Sequence, residues 1–209
     1  MSRRRVLFVS DIDETLRDNV HGGRPLRGAV TLLRAVRDLE VPIVYLTAGS
    51  VAIRRMNRAF LYDHGFPRGQ LVHRPLDDQR PNADFKDDIL RGLQREHPGT
   101  VLACLGDNET GDAIAYHRQC TGGSFIRTVR PWEDGDNRDD DAPSFRLDAS
   151  AHRCLPRGTG RLEYLRGYTA EVRACILDNL RSLIAGRTTR QSSAAPAGPL
   201  RPRRVGSPQ

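Results

Sequence analysis

The sequence contains almost no lysine, few aromatic residues and no long apolar run. Only Lys86 is a lysine among its 33 basic residues, and aromatic residues make up 6% of the chain. No stretch approaches the ~18 apolar residues that a membrane-spanning helix needs. The apolar run near the N-terminus is too short for a signal peptide and is followed at once by aspartates. We therefore expect a soluble, cytoplasmic protein, with a peripheral position at a membrane as the alternative.

The four cysteines do not form a recognisable metal or redox motif. They include no Cys-x-x-Cys pair, and no nearby histidine completes a zinc pattern. We therefore expect reduced thiols, as in a reducing compartment, at all four positions. These positions are Cys104, Cys120, Cys154 and Cys175.

The net charge of +7 is concentrated at the C-terminal end. Residues 187–209 contain five arginines and no acid, which leaves +2 for residues 1–186. We expect one domain over 1–186 and a disordered basic tail over 187–209, because the tail is rich in Ser, Ala, Pro and Gly. Such a tail could contact nucleic acid or an acidic membrane, or remain solvated. The acidic segment 133–141 is expected to be a solvated loop.

Alternating strand and helix patterns predict an α/β fold. Apolar runs indicate buried strands at 6–10, 41–47, 70–73, 100–106 and 124–129. Helical spacing predicts helices from Pro25 to 39, from Ser50 to 64, and at 85–97, 111–120 and 168–186, the last capped by Thr169. Residues 17–25 between the first strand and the first helix are expected to be a loop. This alternation is typical of a Rossmann-like three-layer sandwich with a central, mostly parallel sheet.

Polar residues that can carry chemistry follow three of the predicted strands. Asp11 and Asp13 come directly after the first strand, and Thr47 ends the second. The segment "GDNETGD" ends the third and contributes Asp107 and Asp112. Ligands of open α/β sheets bind beyond the carboxyl ends of the strands, so we expect these side chains to converge on one edge.

The residue types at this edge favour phosphoryl transfer. Clustered carboxylates repel one another unless a cation holds them, and oxygen ligands suit Mg²⁺. One carboxylate can attack phosphorus while a second, two residues on, transfers protons. Lys86, the Thr47 hydroxyl and a backbone N–H near Ala48 would stabilise the charge on the phosphoryl group. The pattern predicts a Mg²⁺-dependent phosphomonoester hydrolase with an aspartyl-phosphate intermediate.

Four motifs resemble those of the haloacid dehalogenase superfamily of phosphatases. They are "DIDET", "LTAGS", "FKDD" and "GDNETGD", in this order. The resemblance implies that Asp11 is the nucleophile and Asp13 the general acid and base. It further implies metal binding by Asp11, Asp13 through its carbonyl, Asp107 and, in support, Asp112, and phosphate binding by Thr47 and Lys86.

A longer stretch, residues 6–130, is similar to the catalytic domain of actin-patch-type phosphatidate phosphatases. The similarity is carried by "DIDETLRDN", "HGFPRGQLVHR", "FKDDILRGLQREHPG", "LGDNETGDAIAYHR" and "IRTVR". It implies that the substrate is phosphatidate or a related phospholipid.

The spacing of the motifs predicts that the fold has no cap domain. Only 31 residues separate Thr15 from Thr47, and 38 separate Thr47 from Lys86. An open site fits a large or surface-bound substrate, and the loop after Thr15 would lie beside it.

Three side chains of that loop are candidates for substrate contact, namely Arg17, His21 and Arg24. Solvation of the whole loop is the alternative. Other functions also stay open: a nucleic-acid-end phosphatase that uses the arginine tail, a phosphoprotein phosphatase, and a non-catalytic phospholipid-binding module.

Overall fold

A computed structural model describes residues 4–19, 23–107, 111–119, 124–127, 145–148, 153–154, 168 and 170–186. Within these residues, seven strands form one sheet: β1 Val6–Ser10, β4 Ile43–Ser50, β5 Gln70–Arg74, β6 Val101–Gly106, β7 Ser124–Arg127, β8 Phe145–Asp148 and β9 Arg153–Cys154. Their order in the sheet is β5-β4-β1-β6-β7-β8-β9. The strands from β5 to β7 are parallel, and β8 and β9 continue the sheet antiparallel. The expected α/β fold with a mostly parallel sheet is confirmed.

Helices cover both faces of this sheet. The helices are α1 Ala29–Asp38, α2 Arg54–Asp63, α3 Asn82–Glu96, α4 Asp112–Gln119 and α5 Ala170–Ile184. Alternate residues of β1 face opposite ways. Phe8 therefore packs in one cluster with α1 and α5, and Val9 packs in another with α3 and α4. This is the expected three-layer sandwich.

The segment between β1 and α1 differs from its prediction. It forms a small antiparallel hairpin, β2 Arg17–Asp18 with β3 Arg24–Pro25. Pro25 therefore lies in a strand, and the prediction that it opens the helix is wrong. The helix begins after Gly28, which has φ +80° and whose absent Cβ would lie 2.4 Å from the Tyr168 carbonyl oxygen. Only glycine fits here, because it tolerates positive φ and admits this close approach.

Ser50 caps the helical segment that leads into α2, as the sequence predicted. The Ser50 hydroxyl accepts a hydrogen bond from the Ala52 N–H at 3.2 Å, as an N-cap serine does. The first turn, Val51–Ile53, is a 3₁₀ helix, and α2 proper begins at Arg54. Gly65, with φ +70°, follows the C-terminal end of α2, where glycine commonly ends a helix.

The cysteine prediction is wrong in one described position. Cys104 in β6 is disulfide-bonded, whereas Cys175 in α5 is a half-buried thiol. Spacing alone could not show this, because a disulfide depends on which residues the fold brings side by side.

The intervals between the motifs hold no inserted domain in the part of the chain that the structure describes. Between Thr15 and Thr47 lie the hairpin and α1, and between Thr47 and Lys86 lie the 3₁₀ turn, α2 and β5. Strands β8 and β9 were not predicted. The acidic segment 133–141, Thr169 and the tail 187–209 lie outside the described residues, so the domain boundary at 186 stays a prediction. No helix among the described residues is long and apolar enough to cross a bilayer.

Candidate active site

The carboxyl ends of β1, β4 and β6 border a cavity of about 320 Å³. β1 lies between the other two strands, and the Asp11 N–H donates to the Leu105 carbonyl oxygen at 2.8 Å, so the loop after β1 is fixed against β6. The cavity is lined by Asp11, Asp13, Glu14, Thr47, Ala48, Gly49, Asn82, Lys86, Asp107, Gly111 and Asp112. The topology thus brings the motif side chains to one edge of the sheet.

Three carboxylates form a cluster on one side of the cavity. One oxygen each of Asp11, Asp107 and Asp112 lies within 4.8 Å of the others. The Thr15 hydroxyl donates to Asp107 Oδ1 at 3.0 Å and lies 3.4 Å from Asp11 Oδ2, which orients both carboxylates. Grouped carboxylate oxygens of this kind are the ligand set of a hard divalent cation such as Mg²⁺. The cluster fits such an ion.

Lys86 supplies the positive charge within this cluster. Its buried ammonium donates to Asp11 Oδ1 at 2.8 Å and also contacts Asp112 Oδ1. Burial alone would lower the pKa of Lys86, but the attraction of Asp11 and Asp112 outweighs burial and raises it. Lys86 is therefore a permanent cation at neutral pH.

The charge of Lys86 does not offset the three clustered carboxylates. Burial, together with repulsion from Asp112, raises the pKa of Asp11 to about 7 despite the attraction of Lys86. Burial and repulsion from Asp11 and Asp112 raise the pKa of Asp107 to about 8. The chain on its own thus retains protons here at neutral pH, and a bound dication would displace them.

Asp13 lies apart from the acidic cluster, in a polar arm of the cavity. Its Oδ2 accepts from the Thr47 hydroxyl at 3.3 Å, and its Oδ1 accepts from Asn19 Nδ2 at 2.9 Å and from Arg17. Burial raises the pKa of Asp13, but the hydrogen bonds from Asn19 and Arg17 outweigh burial and lower it. The two aspartates of "DIDET" therefore have opposite pKa shifts, which is the arrangement expected of two carboxyl groups with different roles.

Close backbone approaches hold two of the site groups in place. An added Cβ on Gly106 would lie 2.4 Å from Asp112 Oδ2, and that oxygen accepts from the Asp107 N–H at 3.2 Å. In β4, the Thr47 hydroxyl oxygen accepts from the Gly49 N–H at 2.9 Å. In both cases, a backbone N–H close by in the sequence fixes the orientation of the side chain: that of Asp112 in the first case and that of Thr47 in the second.

The catalytic domain of phosphatidate phosphatase APP1 is the family whose model matches this chain, over residues 14–122. The match covers more than half of the 209 residues. The chain belongs to this family. The expected phosphatase resemblance is therefore confirmed at the level of the family.

Other comparisons add little. No curated protein matches the chain. A structure titled "Structure of Pnkp1/Rnl/Hen1 complex" is 15% identical with a TM-score of 0.47, over 60% of this chain and 46% of that one. An uncharacterized protein from Listeria monocytogenes serotype 4b is 18% identical with a TM-score of 0.43, over 64% of this chain and 84% of that one. This chain therefore spans less than half the length of the matched chain in the Pnkp1/Rnl/Hen1 complex.

Most of the sequence-predicted site residues of this APP1-family domain meet in the cavity. Those that line it are Asp11, Asp13, Thr47, Ala48, Lys86, Asp107 and Asp112. The Asp13 carboxylate is not part of the acidic cluster, so any metal contact of Asp13 would come from its carbonyl oxygen. The predicted roles of these residues stay predictions.

The three substrate-contact candidates do not share the cavity. Arg17 is only 6% exposed, pairs with Asp13 and lies over the Phe60 ring at 5.2 Å, so it is neither solvated nor part of the lining. Arg24 is exposed in β3 and does not line the cavity. His21 lies outside the described residues.

Several site residues were missed by sequence reasoning. Asn82 lines the cavity one helical turn before Lys86, and its i, i+4 spacing could have revealed it. Gly49 lies inside the quoted "LTAGS" motif. Tyr168 donates to the Thr15 carbonyl oxygen at 2.6 Å across 153 residues, and no local signal could have revealed that contact.

Proposed function

We propose that this chain is a Mg²⁺-dependent phosphomonoesterase that acts through a phosphorylated Asp11. The proposal rests on one observation: two carboxylates that line the same cavity have different neighbours. Asp11 lies with Lys86 and two further acids, whereas Asp13 lies with Thr47 and Arg17. One carboxylate is placed to attack phosphorus and the other to transfer protons.

The reaction divides into two steps. Asp11 Oδ attacks the phosphorus atom, the bond to the ester oxygen breaks, and that oxygen takes a proton from Asp13 as the alcohol leaves. Asp13 then accepts a proton from a water molecule, which attacks the phosphorus atom of phosphorylated Asp11. Phosphate leaves, and both carboxyl groups return to their starting protonation.

The resting state favours the base form of Asp13. Arg17 and Asn19 hold its pKa below the usual value. A dianionic phosphate bound next to Asp13 opposes this effect, because a nearby negative charge raises the pKa of a carboxyl group. Substrate binding would thus favour the protonated form of Asp13, which the first step needs.

Mg²⁺ would be held by Asp11 and Asp107 with Asp112, and would neutralise charge on the phosphoryl oxygens. Lys86 and the Thr47 hydroxyl would donate to the same oxygens, and the Ala48–Gly49 backbone lines the same side of the cavity.

We further propose that the substrate is phosphatidate or a related phospholipid. The family description supports this substrate class. The absence of an inserted domain within the described intervals between the motifs also supports it, because an uncovered site admits a phosphate that belongs to a large assembly.

Phosphate release across a substrate panel tests both parts of the proposal. The panel contains phosphatidate in mixed micelles, a 3′-phosphorylated oligonucleotide, a phosphopeptide and p-nitrophenyl phosphate, each with Mg²⁺ or EDTA. Asp11→Asn is the catalytic control, because it keeps the shape of the side chain and removes the nucleophile. We expect Mg²⁺-dependent release of phosphate from phosphatidate, and we expect the variant to lose this activity. Release only from the oligonucleotide or peptide would overturn the lipid assignment, and Mg²⁺ binding without any release would favour a binding module.

A further inference from the structure

Three exposed apolar side chains of this domain lie close in sequence to residues that line the cavity. Four large hydrophobic residues are exposed in the part of the chain that the structure describes: Met56 (53%), Tyr62 (81%), Leu76 (69%) and Ile114 (40%). Three of them follow or precede cavity-lining residues closely. Met56 lies seven residues after Gly49, Leu76 six before Asn82 and Ile114 two after Asp112.

The sheet topology places these three residues on one side of the domain. Met56 is in the first turn of α2, which follows β4, and Leu76 is in the connection that follows β5. Ile114 is in the first turn of α4, which follows β6. Since β4, β5 and β6 are parallel to β1 in one sheet, all three segments lie at the carboxyl edge where the cavity opens.

Positive charge accompanies Met56 at this edge. Arg54, Arg55 and Arg58 are exposed at the start of α2, and residues 51–62 contain no acid. Among the described residues, none of these three arginines makes an ion pair. Cations at a helix N-terminus are disfavoured by the helix dipole, so this cluster does not serve the stability of α2. It is complementary to an external anionic surface.

We propose that this edge, the rim surface of Met56, Leu76, Ile114, Arg55 and Arg58, docks onto an anionic phospholipid bilayer. The apolar side chains enter the boundary between head groups and acyl chains, and the arginines contact lipid phosphates. The cavity then faces the membrane, so a phosphomonoester head group reaches Asp11 without leaving the bilayer. This inference rests on the proposed phospholipid substrate.

Vesicle binding tests the rim surface separately from turnover. The probe is sedimentation with phosphatidylcholine vesicles that either contain or lack phosphatidylserine, which is anionic and is not a phosphomonoester. We expect the wild-type chain to bind only the anionic vesicles. Arg55→Gln with Arg58→Gln lowers the partition coefficient about 25-fold, since each basic residue contributes roughly fivefold. Met56→Ser, Leu76→Ser and Ile114→Ser together lower it by about tenfold or more.

The control variant carries the same kinds of change away from the cavity. Tyr62→Ser alters the most exposed of the four apolar residues, which lies about 9 Å further along α2 than Met56. Arg68→Gln alters an exposed arginine in the connection that precedes β5. We expect this double variant to bind like the wild type. Circular dichroism melting checks that every variant is folded. We expect all of them to fold, because every substituted side chain is exposed.

The possible outcomes distinguish the docking proposal from the proposed catalytic function. Equal binding by the rim variants and the wild type, or equal loss in the control variant, would overturn the docking proposal. Hydrolysis of phosphatidate without rim-dependent binding would leave the proposed function standing and reject the surface. Rim-dependent binding without hydrolysis of any phospholipid would keep the surface and reject the substrate.

Discussion

The Lys86 ammonium lies 2.8 Å from Asp11 Oδ1 and also contacts Asp112, so one buried cation joins the loop after β1 to the start of α4. Both side chains that it contacts are almost fully buried. In a buried group of this kind, the loss of one partner leaves the other charges uncompensated. Lys86 therefore has a structural role besides any role in phosphate binding.

Replacing Lys86 by Met should destabilise the metal-free protein strongly. We expect a decrease of about 3 kcal/mol in the free energy of unfolding, measured in urea, because the acidic cluster loses the cation that contacts Asp11 and Asp112. Mg²⁺ should restore part of the loss. The matched control is Asp84→Asn, which breaks the exposed Arg118–Asp84 pair, whose aspartate is on the same helix, and should cost at most about 1 kcal/mol. Equal effects of the two changes would contradict a structural role of Lys86.

Replacing Gly106 by Ala should displace Asp112. The new Cβ would lie 2.4 Å from Asp112 Oδ2 and 2.7 Å from its Cγ, closer than these atoms allow. We expect a decrease of about tenfold or more in Mg²⁺ affinity, measured by calorimetry, since a misplaced carboxylate weakens the metal site. Gly92→Ala is the control, because no atom lies within 4 Å of its added Cβ and the change should stabilise α3 by up to about 1 kcal/mol. Unchanged Mg²⁺ affinity in Gly106→Ala would show that Asp112 does not support the metal.

Sequence reasoning predicted that these side chains would meet at one edge of the sheet because they follow regular elements. Asp11, Thr47 and Asp107 stand at the ends of strongly apolar strands, and such strands are the most predictable elements of an α/β fold. Their convergence follows from parallel topology alone. The position of Lys86 one helical turn after Asn82 is equally local.

The contacts that sequence reasoning missed depend on tertiary packing. Arg17 was expected in a solvated loop, but it is buried because it pairs with Asp13 and covers the Phe60 ring. Pro25 was expected in a helix, but the hairpin with Arg17 places it in a strand. Tyr168 reaches Thr15 only because α5 packs beside α1. None of these arrangements has a signal within its own stretch of sequence.

The stability of the metal-free protein should fall as the pH rises from about 4 to about 8. The pKa of Asp11 is about 7 and that of Asp107 about 8 in the folded chain, both above the usual value of 3.8. Between the unfolded and folded pKa values the folded chain binds more protons, so raising the pH favours unfolding.

Mg²⁺ should reverse this trend. A dication replaces the retained protons, so its apparent affinity increases with pH across about 7 to 8. Melting temperatures measured from pH 5 to pH 9, with Mg²⁺ and with EDTA, check both statements. The two curves should diverge as the pH rises. Parallel curves would show that these carboxylates neither retain protons nor bind the ion, and Asp11→Asn, which removes one titrating group, should flatten the EDTA curve.

Replacing Thr47 by Val should lower catalysis while leaving the fold intact. The Thr47 hydroxyl donates to Asp13 and accepts from the Gly49 N–H, so its loss leaves both groups without this partner in the cavity. We expect kcat/KM for p-nitrophenyl phosphate to decrease about 100-fold, the usual cost of one lost donor to a transferring group. Thr47→Ser keeps the hydroxyl and should retain activity within about tenfold of the wild type. A similar loss in both variants would mean that the methyl group, and hence packing in β4, matters more than the hydroxyl.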